Sequence, residues 1–310
     1  MQPETPPQRP LRGIALKLGS VLVFIVMSAL IKATADRVPP GQAVFFRSFF
    51  ALPVILVWLG LRRELATGLG TRNPVGHVWR GLMGTAAMGF GFAGLAFLPL
   101  PEVTAIGYAA PLLTVIFAAM FLGEEVRAFR IGAVGLGLAG VLIVASPRLT
   151  LNSGASAAEA LGALLVLFGA VFAALAQVFV RKLVNSEKTS TIVFWFSVTA
   201  SLVSLLTLPW GWVWPHPGEA ALMVATGILG GIGQILLTSS YREADASLIA
   251  PFDYASMLFA LLIGYFAFGE VPTATMLAGA GLVITAGCLI IWRERQLGLK
   301  RDRQRKAMTP

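Results

Sequence analysis

Apolar residues gather in ten long blocks instead of the short alternating or one-sided stripes of a soluble domain. The blocks run Leu11–Thr34, Gln42–Leu61, Val75–Leu98, Glu102–Leu122, Arg130–Ala145, Ala157–Val180, Thr189–Leu208, Glu219–Ser239, Ala244–Phe268 and Thr273–Trp292. Most hold about 20 residues, the length an α-helix needs to cross a hydrocarbon core of about 30 Å. The linkers carry Pro39-Pro40, Pro99 to Pro101, Ser146-Pro147 and the run from Pro209 to Pro217. Prolines and small polar residues of this kind punctuate helices. The pattern predicts an all-α membrane protein with ten transmembrane helices. No stretch is left over for a separate soluble domain.

Composition agrees with that reading. Of 310 residues, 56% are hydrophobic and only 13% are charged, against about 25% charged in soluble domains. One Cys excludes a disulfide framework. Two His, far apart, give no basis for a histidine metal site, so neither metal nor cofactor is expected. The net charge of +9 would suggest nucleic acid until the charges are placed. With the N-terminus inside, all but six of the 24 Lys and Arg fall in inner segments or the basic tail. The six are Arg37 and Arg148 outside, and Lys17, Lys32, Arg47 and Arg80 within blocks. This is the positive-inside bias of a plasma-membrane protein. It predicts a bacterial-type inner membrane location with both termini cytoplasmic, a tail near anionic headgroups, and no nucleic-acid partner. The first block lacks a cleavage pattern and is expected to stay as a span.

The second half echoes the first. At an offset of 146, Gly81 meets Gly227, Gly84 meets Gly230, Tyr108-Ala109 meets Tyr254-Ala255, and Gly123-Glu124 meets Gly269-Glu270. Further upstream the offset is 149, where Val44-Phe45 meets Val193-Phe194 and Ser48 meets Ser197. Residues 1–150 and 151–310 are therefore expected to form two five-helix repeats. Five is odd, so the second copy enters from the opposite side, giving an inverted repeat. Secondary transporters recur on such repeats, with a substrate site near the midplane where the halves meet.

Specific stretches go further. Phe45-Phe46-Arg47-Ser48, Arg80-Gly81 and Leu122-Gly123-Glu124, with Gly-Glu closing the fourth and ninth blocks, resemble the EamA-type drug/metabolite transporter superfamily. The resemblance covers about residues 11–293. It implies ten helices in two repeats and transport of a small metabolite. Members resembling this branch include riboflavin uptake proteins and S-adenosylmethionine carriers; others move amino acids or export metabolites.

Several residues could contact a substrate. Asp253 lies about nine residues into the ninth block, where an acid is expensive and usually faces a cavity or a partner. Burial there would favour its neutral form, which makes it a substrate contact, a proton-coupling site or a structural hydrogen-bonding group. Tyr108 and Tyr254, as repeat mates, are expected at similar depth on two sides of one cavity. Gln177 and Gln234 are polar positions on the sixth and eighth blocks. Met88 and Phe92 share one helix face and either line a cavity or simply pack. Arg47 either ties helices, snorkels, or neutralises an anionic group. Lys17 and Lys32 lie toward opposite ends of the first block and are expected to snorkel. Arg80 reads as a topological charge. Glu124 and Glu270 read as interfacial caps, since a carboxylate suits the start of the following helix.

No nucleotide-binding motif occurs, and polar residues within the blocks are too scattered for an intramembrane enzyme. A carrier is favoured over an enzyme or a channel. Its partners are then a small-molecule substrate, the lipid bilayer and protons as the candidate coupling ion. Riboflavin-like vitamin uptake is the preferred substrate reading, with S-adenosylmethionine or another metabolite, taken up or exported, as the alternative. No motif bears on oligomeric state.

Overall fold

A computed structural model describes residues 9–122, 128–149, 156–184, 186–244 and 246–308. Among these residues the regular structure is helical. Eight segments are long and apolar enough to cross a membrane, and Thr189–Leu205 is a shorter apolar helix. Pro74–Leu95, of 22 residues, completes a set of ten; it carries His77 and Arg80 among apolar positions. In chain order the spans are Pro10–Thr34, Pro40–Leu61, Pro74–Leu95, Leu100–Leu122, Ala128–Leu149, Ala157–Leu183, Thr189–Leu205, Pro217–Glu243, Ala246–Phe268 and a last helix Ala274–Met308. They are numbered span 1 to span 10 below.

Starts are set by local chemistry. Pro occupies the first turn of spans 1, 2, 3, 4 and 8, where its missing N–H costs nothing. Ser156 caps span 6, its hydroxyl accepting from Glu159 N while Glu159 accepts from Ser156 N. The fifth block runs longer than its sequence pattern suggested. The helix passes through Ser146-Pro147 and ends at Leu149, so those residues close a span instead of forming a linker.

Three spans are interrupted. Span 2 breaks at Phe50, between Pro40–Phe49 and Ala51–Leu61. Span 4 breaks at Tyr108, between Leu100–Gly107 and Ala109–Leu122. Span 9 passes from Ala246–Ile249 through a 3₁₀ turn Ala250–Tyr254 into Ala255–Phe268. Pro53, Pro111 and Pro251 account for the breaks. Each removes an N–H from the helical ladder and crowds the carbonyl four residues earlier. Tyr108 and Tyr254, matched in the sequence, therefore both sit where their helices are interrupted.

The spans associate in a regular pattern. Span 1 packs on span 8, span 3 on span 6, and span 5 on span 10; span 2 meets span 7, and span 4 meets span 9. Small residues permit the closest approaches. A Cβ on Gly140 would stand 2.7 Å from Gly279 O, and one on Gly279 would stand 2.6 Å from Gly140 O. Spans 5 and 10 thus touch backbone to backbone. Of the Gly-rich run in span 5, Gly137 and Gly140 face neighbours, whereas Gly132 and Gly135 face open space.

Candidate functional site

Spans 3, 6, 7 and 8 enclose a cavity of about 410 Å³ in the half of the molecule nearer the N-terminus. Its wall combines Arg80, Gln177, Gln234, Thr189 and Thr238 with Val180, Val184, Ile192, Val193 and Leu237. Helical spacing explains who faces inward. Gln177, Val180 and Val184 recur at three and four residues, as do Gln234, Leu237 and Thr238, so each set forms one stripe. Both candidate glutamines therefore meet in one cavity. Arg80, which the sequence suggested was only a topological charge, is part of the same wall.

Arg80 does not stand alone. Its guanidinium carbon lies 4.0 Å from the centre of the Phe196 ring of span 7, and that of Arg47, from span 2, lies 5.5 Å from the same centre. Arg47 is 6% exposed. It is a buried group and does not snorkel to an interface. Arg47 Nε and Arg80 Nε and Nη1 are buried with no hydrogen-bond partner among the described residues. The ring supplies a cation–π contact, and no carboxylate of the described residues ion-pairs with either guanidinium.

A second cluster forms at the helix breaks of spans 4 and 9. The rings of Tyr108 and Tyr254 are 5.2 Å apart. Tyr108 Oη shares a hydrogen bond with Ser256 Oγ, whose hydroxyl is also within 2.7 Å of Asp253 O. The tyrosines pack on one another here and do not line the polar cavity. Asp253 Oδ1 lies 2.6 Å from Lys17 Nζ; the lysine side chain is 2% exposed and the carboxylate half exposed. The acid that the sequence led us to expect facing a cavity or a partner meets a partner here, while the carboxylate is half exposed where burial was expected. Lys17 is a buried partner of span 9 and does not snorkel, because a carboxylate 236 positions away comes within reach only in the fold.

The far ends of the spans are tied by charge. Lys32 Nζ lies 3.0 Å from Glu270 Oε1 and donates to Leu98 O and Leu95 O. Lys32 thus holds carbonyls and a carboxylate, and the snorkelling expectation fails for it as well. Glu270 Oε2 accepts from Leu100 N at 2.9 Å. Glu270 is a cap, as its position suggested, but it caps span 4 and not the helix that follows it. Glu124 lies outside the described residues. Arg148 makes two bonds to Glu102, at 2.8 and 3.0 Å, and reaches Glu159 at 3.0 Å. Met88 and Phe92 do share a face, but that face packs in the apolar core with Ile25, Met27 and Leu100, away from the polar cavity.

Near the N-terminal ends, Glu187 ties the connection after span 6 to the start of span 3. Its Oε1 accepts from Thr71 Oγ1, Arg72 N and Asn73 N and lies 3.8 Å from His77 Nε2. Burial opposes ionisation of Glu187, yet these donors outweigh it and hold the carboxyl below its ordinary range. Among the described residues no group of three His, Cys, Asp or Glu could hold a metal. Sequence reasoning missed Arg80 and Lys17 as members of internal clusters. The available signal was their place several residues inside apolar helices.

The profile of the EamA-like transporter family matches residues 11–146 and again 160–292. The chain is 29% identical to the pseudopaline exporter CntI of Pseudomonas aeruginosa, over 92% of this chain and 97% of that protein. It is 27% identical to an S-adenosylmethionine uptake transporter of Rickettsia prowazekii, over 92% and 94%, and 28% identical to a riboflavin transporter of Rhizobium johnstonii, over 95% of each. A crystal structure at 23% identity, covering 92% of this chain and 98% of the other, superposes with a TM-score of 0.65; at that identity it speaks for the fold alone.

Proposed function

The chain belongs to the EamA-like transporter family, and on that premise we propose that it is a secondary carrier moving a small metabolite by alternating access. The observation that carries this reading is the polar cavity inside the bundle, walled by Arg80, Gln177 and Gln234. Polar groups inside an apolar bundle are costly, and a carrier repays that cost by using them on cargo. Residues 1–150 and 151–310 act as two inverted five-helix repeats, and the spans pair as a two-fold exchange would require. Span 1 on span 8 is the mate of span 6 on span 3, while the 5–10, 2–7 and 4–9 contacts map onto themselves. In this reading the cavity faces the cytoplasm, where both termini lie, and the Lys32–Glu270 and Arg148–Glu102 ties close the opposite side of a bacterial inner membrane. The Asp253–Lys17 pair is the candidate for proton coupling.

Riboflavin and S-adenosylmethionine, carried by relatives, are the first substrates to test. The vitamin reading leans on resemblance to that branch of the family; Tyr108 and Tyr254, candidates for lining the cavity, pack on each other, so amide and arginine chemistry carries more weight. The decisive measurement is counterflow in sealed vesicles containing the purified protein. Saturable exchange of labelled substrate is expected. Substrate conversion by the protein in detergent, where no compartment exists, would point to an enzyme instead, and non-saturable flux to a channel.

A further inference from the structure

Intramembrane cations in this protein are treated in two ways. Lys17 is matched to Asp253, and Lys32 to Glu270. Arg47 and Arg80 share one aromatic ring, and no carboxylate among the described residues ion-pairs with either. A desolvated guanidinium whose N–H groups meet no acceptor is a standing cost, and a cation–π contact offsets only part of it. The backbone nevertheless makes room for both. A Cβ at Gly84 would stand 2.2 Å from Arg80 Nη1 and 2.6 Å from Phe196 Cε2; one at Gly230 would stand 3.2 Å from Arg47 Nε. Gly84 and Gly230 are the pair matched at the offset of 146, and the offset of 149 that aligns Ser48 with Ser197 also sets Arg47 opposite Phe196. Both arginines therefore lie where glycine leaves space, Arg80 on the cavity wall and Arg47 against the same ring.

We propose that the cavity binds its ligand through an anionic group, a carboxylate or phosphate, which Arg80 contacts while Arg47, packed on the same Phe196 ring, adds positive field. Gln177, Gln234 and Thr238 orient the remainder of the ligand through neutral hydrogen bonds. Arg80 is the better placed of the two for direct contact, because it lines the cavity. A planar guanidinium can present paired N–H donors to either kind of anion. The arrangement excludes a ligand that is purely cationic, since two unneutralised arginines would repel it. This deepens the carrier reading and depends on it only for the claim that the bound anion is cargo.

The test uses the full chain purified in an uncharged detergent. Melting is followed with citrate, succinate or inorganic phosphate, and with the neutral succinamide as the matched control. The anions are expected to raise the melting temperature of the wild type and succinamide to leave it unchanged, since only a ligand of the native state stabilises. Arg80→Gln should abolish the anion shift, and Arg80→Lys should retain part of it. Arg80→Met should raise the ligand-free melting temperature by about 2 °C, because it removes a half-buried charge whose Nε and Nη1 have no hydrogen-bond partner among the described residues; a merely structural arginine would lower it. Equal shifts with succinamide, no shift with any anion, or an undiminished shift in Arg80→Gln would overturn the proposal. Should Arg80→Gln fail to fold, Arg47→Gln reads the same loss as a weakened anion shift.

Nanodiscs of phosphatidylglycerol against phosphatidylcholine separate the two sources of the anion. Stabilisation confined to phosphatidylglycerol and lost in Arg80→Gln identifies a lipid headgroup held by the same arginine. Anion binding in detergent without counterflow in vesicles leaves the proposal standing and removes the carrier reading. Counterflow of a neutral substrate, indifferent to Arg80→Gln, does the reverse.

Discussion

The Lys32 end of the bundle and the Arg80 cavity solve the same problem in opposite ways. Both place a cation among apolar helices. Around Lys32, Glu270, two carbonyls and the start of span 4 satisfy every element of the cluster. Around Arg80 there is one ring, with two amides elsewhere on the same cavity wall, and no carboxylate of the described residues ion-pairs with it. The first arrangement is what a structural charge looks like, because breaking it leaves a buried group without compensation. The second keeps valency in reserve. Within one molecule, a complete set of partners marks structure and an incomplete set marks a place for something that arrives later.

That contrast can be broken most severely at Glu270. Glu270→Ala removes both the ion pair with Lys32 and the acceptor for Leu100 N, so a loss of about 3–5 kcal/mol is expected, read as a lower melting temperature and poorer yield of folded protein. A variant as stable as the wild type would show that the Lys32–Glu270 tie is ornamental. Asp253→Asn comes next: transport should fall at least about tenfold and lose its dependence on pH, with protein levels intact. Equal uptake at every pH would remove Asp253 from the coupling step.

Glu102→Gln weakens a partly exposed pair with Arg148, so a smaller destabilisation of about 1–2 kcal/mol is expected, measured by chemical denaturation in detergent. The smallest effect concerns pH. Glu187 is held below its unfolded value of 4.5 by hydrogen bonds made in the fold. Its contribution to stability is therefore complete above that value and disappears as pH falls through the lower folded one. Acid unfolding below about pH 5 should be shallower in Glu187→Gln. A parallel curve would mean that the turn at Thr71 to Asn73 holds without the charge.

Much of the architecture was readable because bilayer crossing imposes length and apolarity on each helix in turn. The seventh block, Thr189–Leu208, and its helix, Thr189–Leu205, differ by three residues. The interruptions at Phe50 and Tyr108 were not read, although Pro53 and Pro111 are plain in the sequence. Proline weakens the ladder, but packing decides whether the helix bends or breaks. Gln177 and Gln234 were found individually as polar positions, and their convergence needed spans 6 and 8 side by side. Lys17, Lys32 and Arg80 were misread for one reason. A charge near a helix end can reach an interface if nothing else is near, and what is near comes from far along the chain.

The backbone seam at Gly140 and Gly279 carries a mechanical consequence. With no side chain between them, the two helices are pinned there at the shortest distance two backbones allow. Bulk introduced at Gly279 would wedge them apart and lower the durability of the protein, however well every other contact of the two helices is kept.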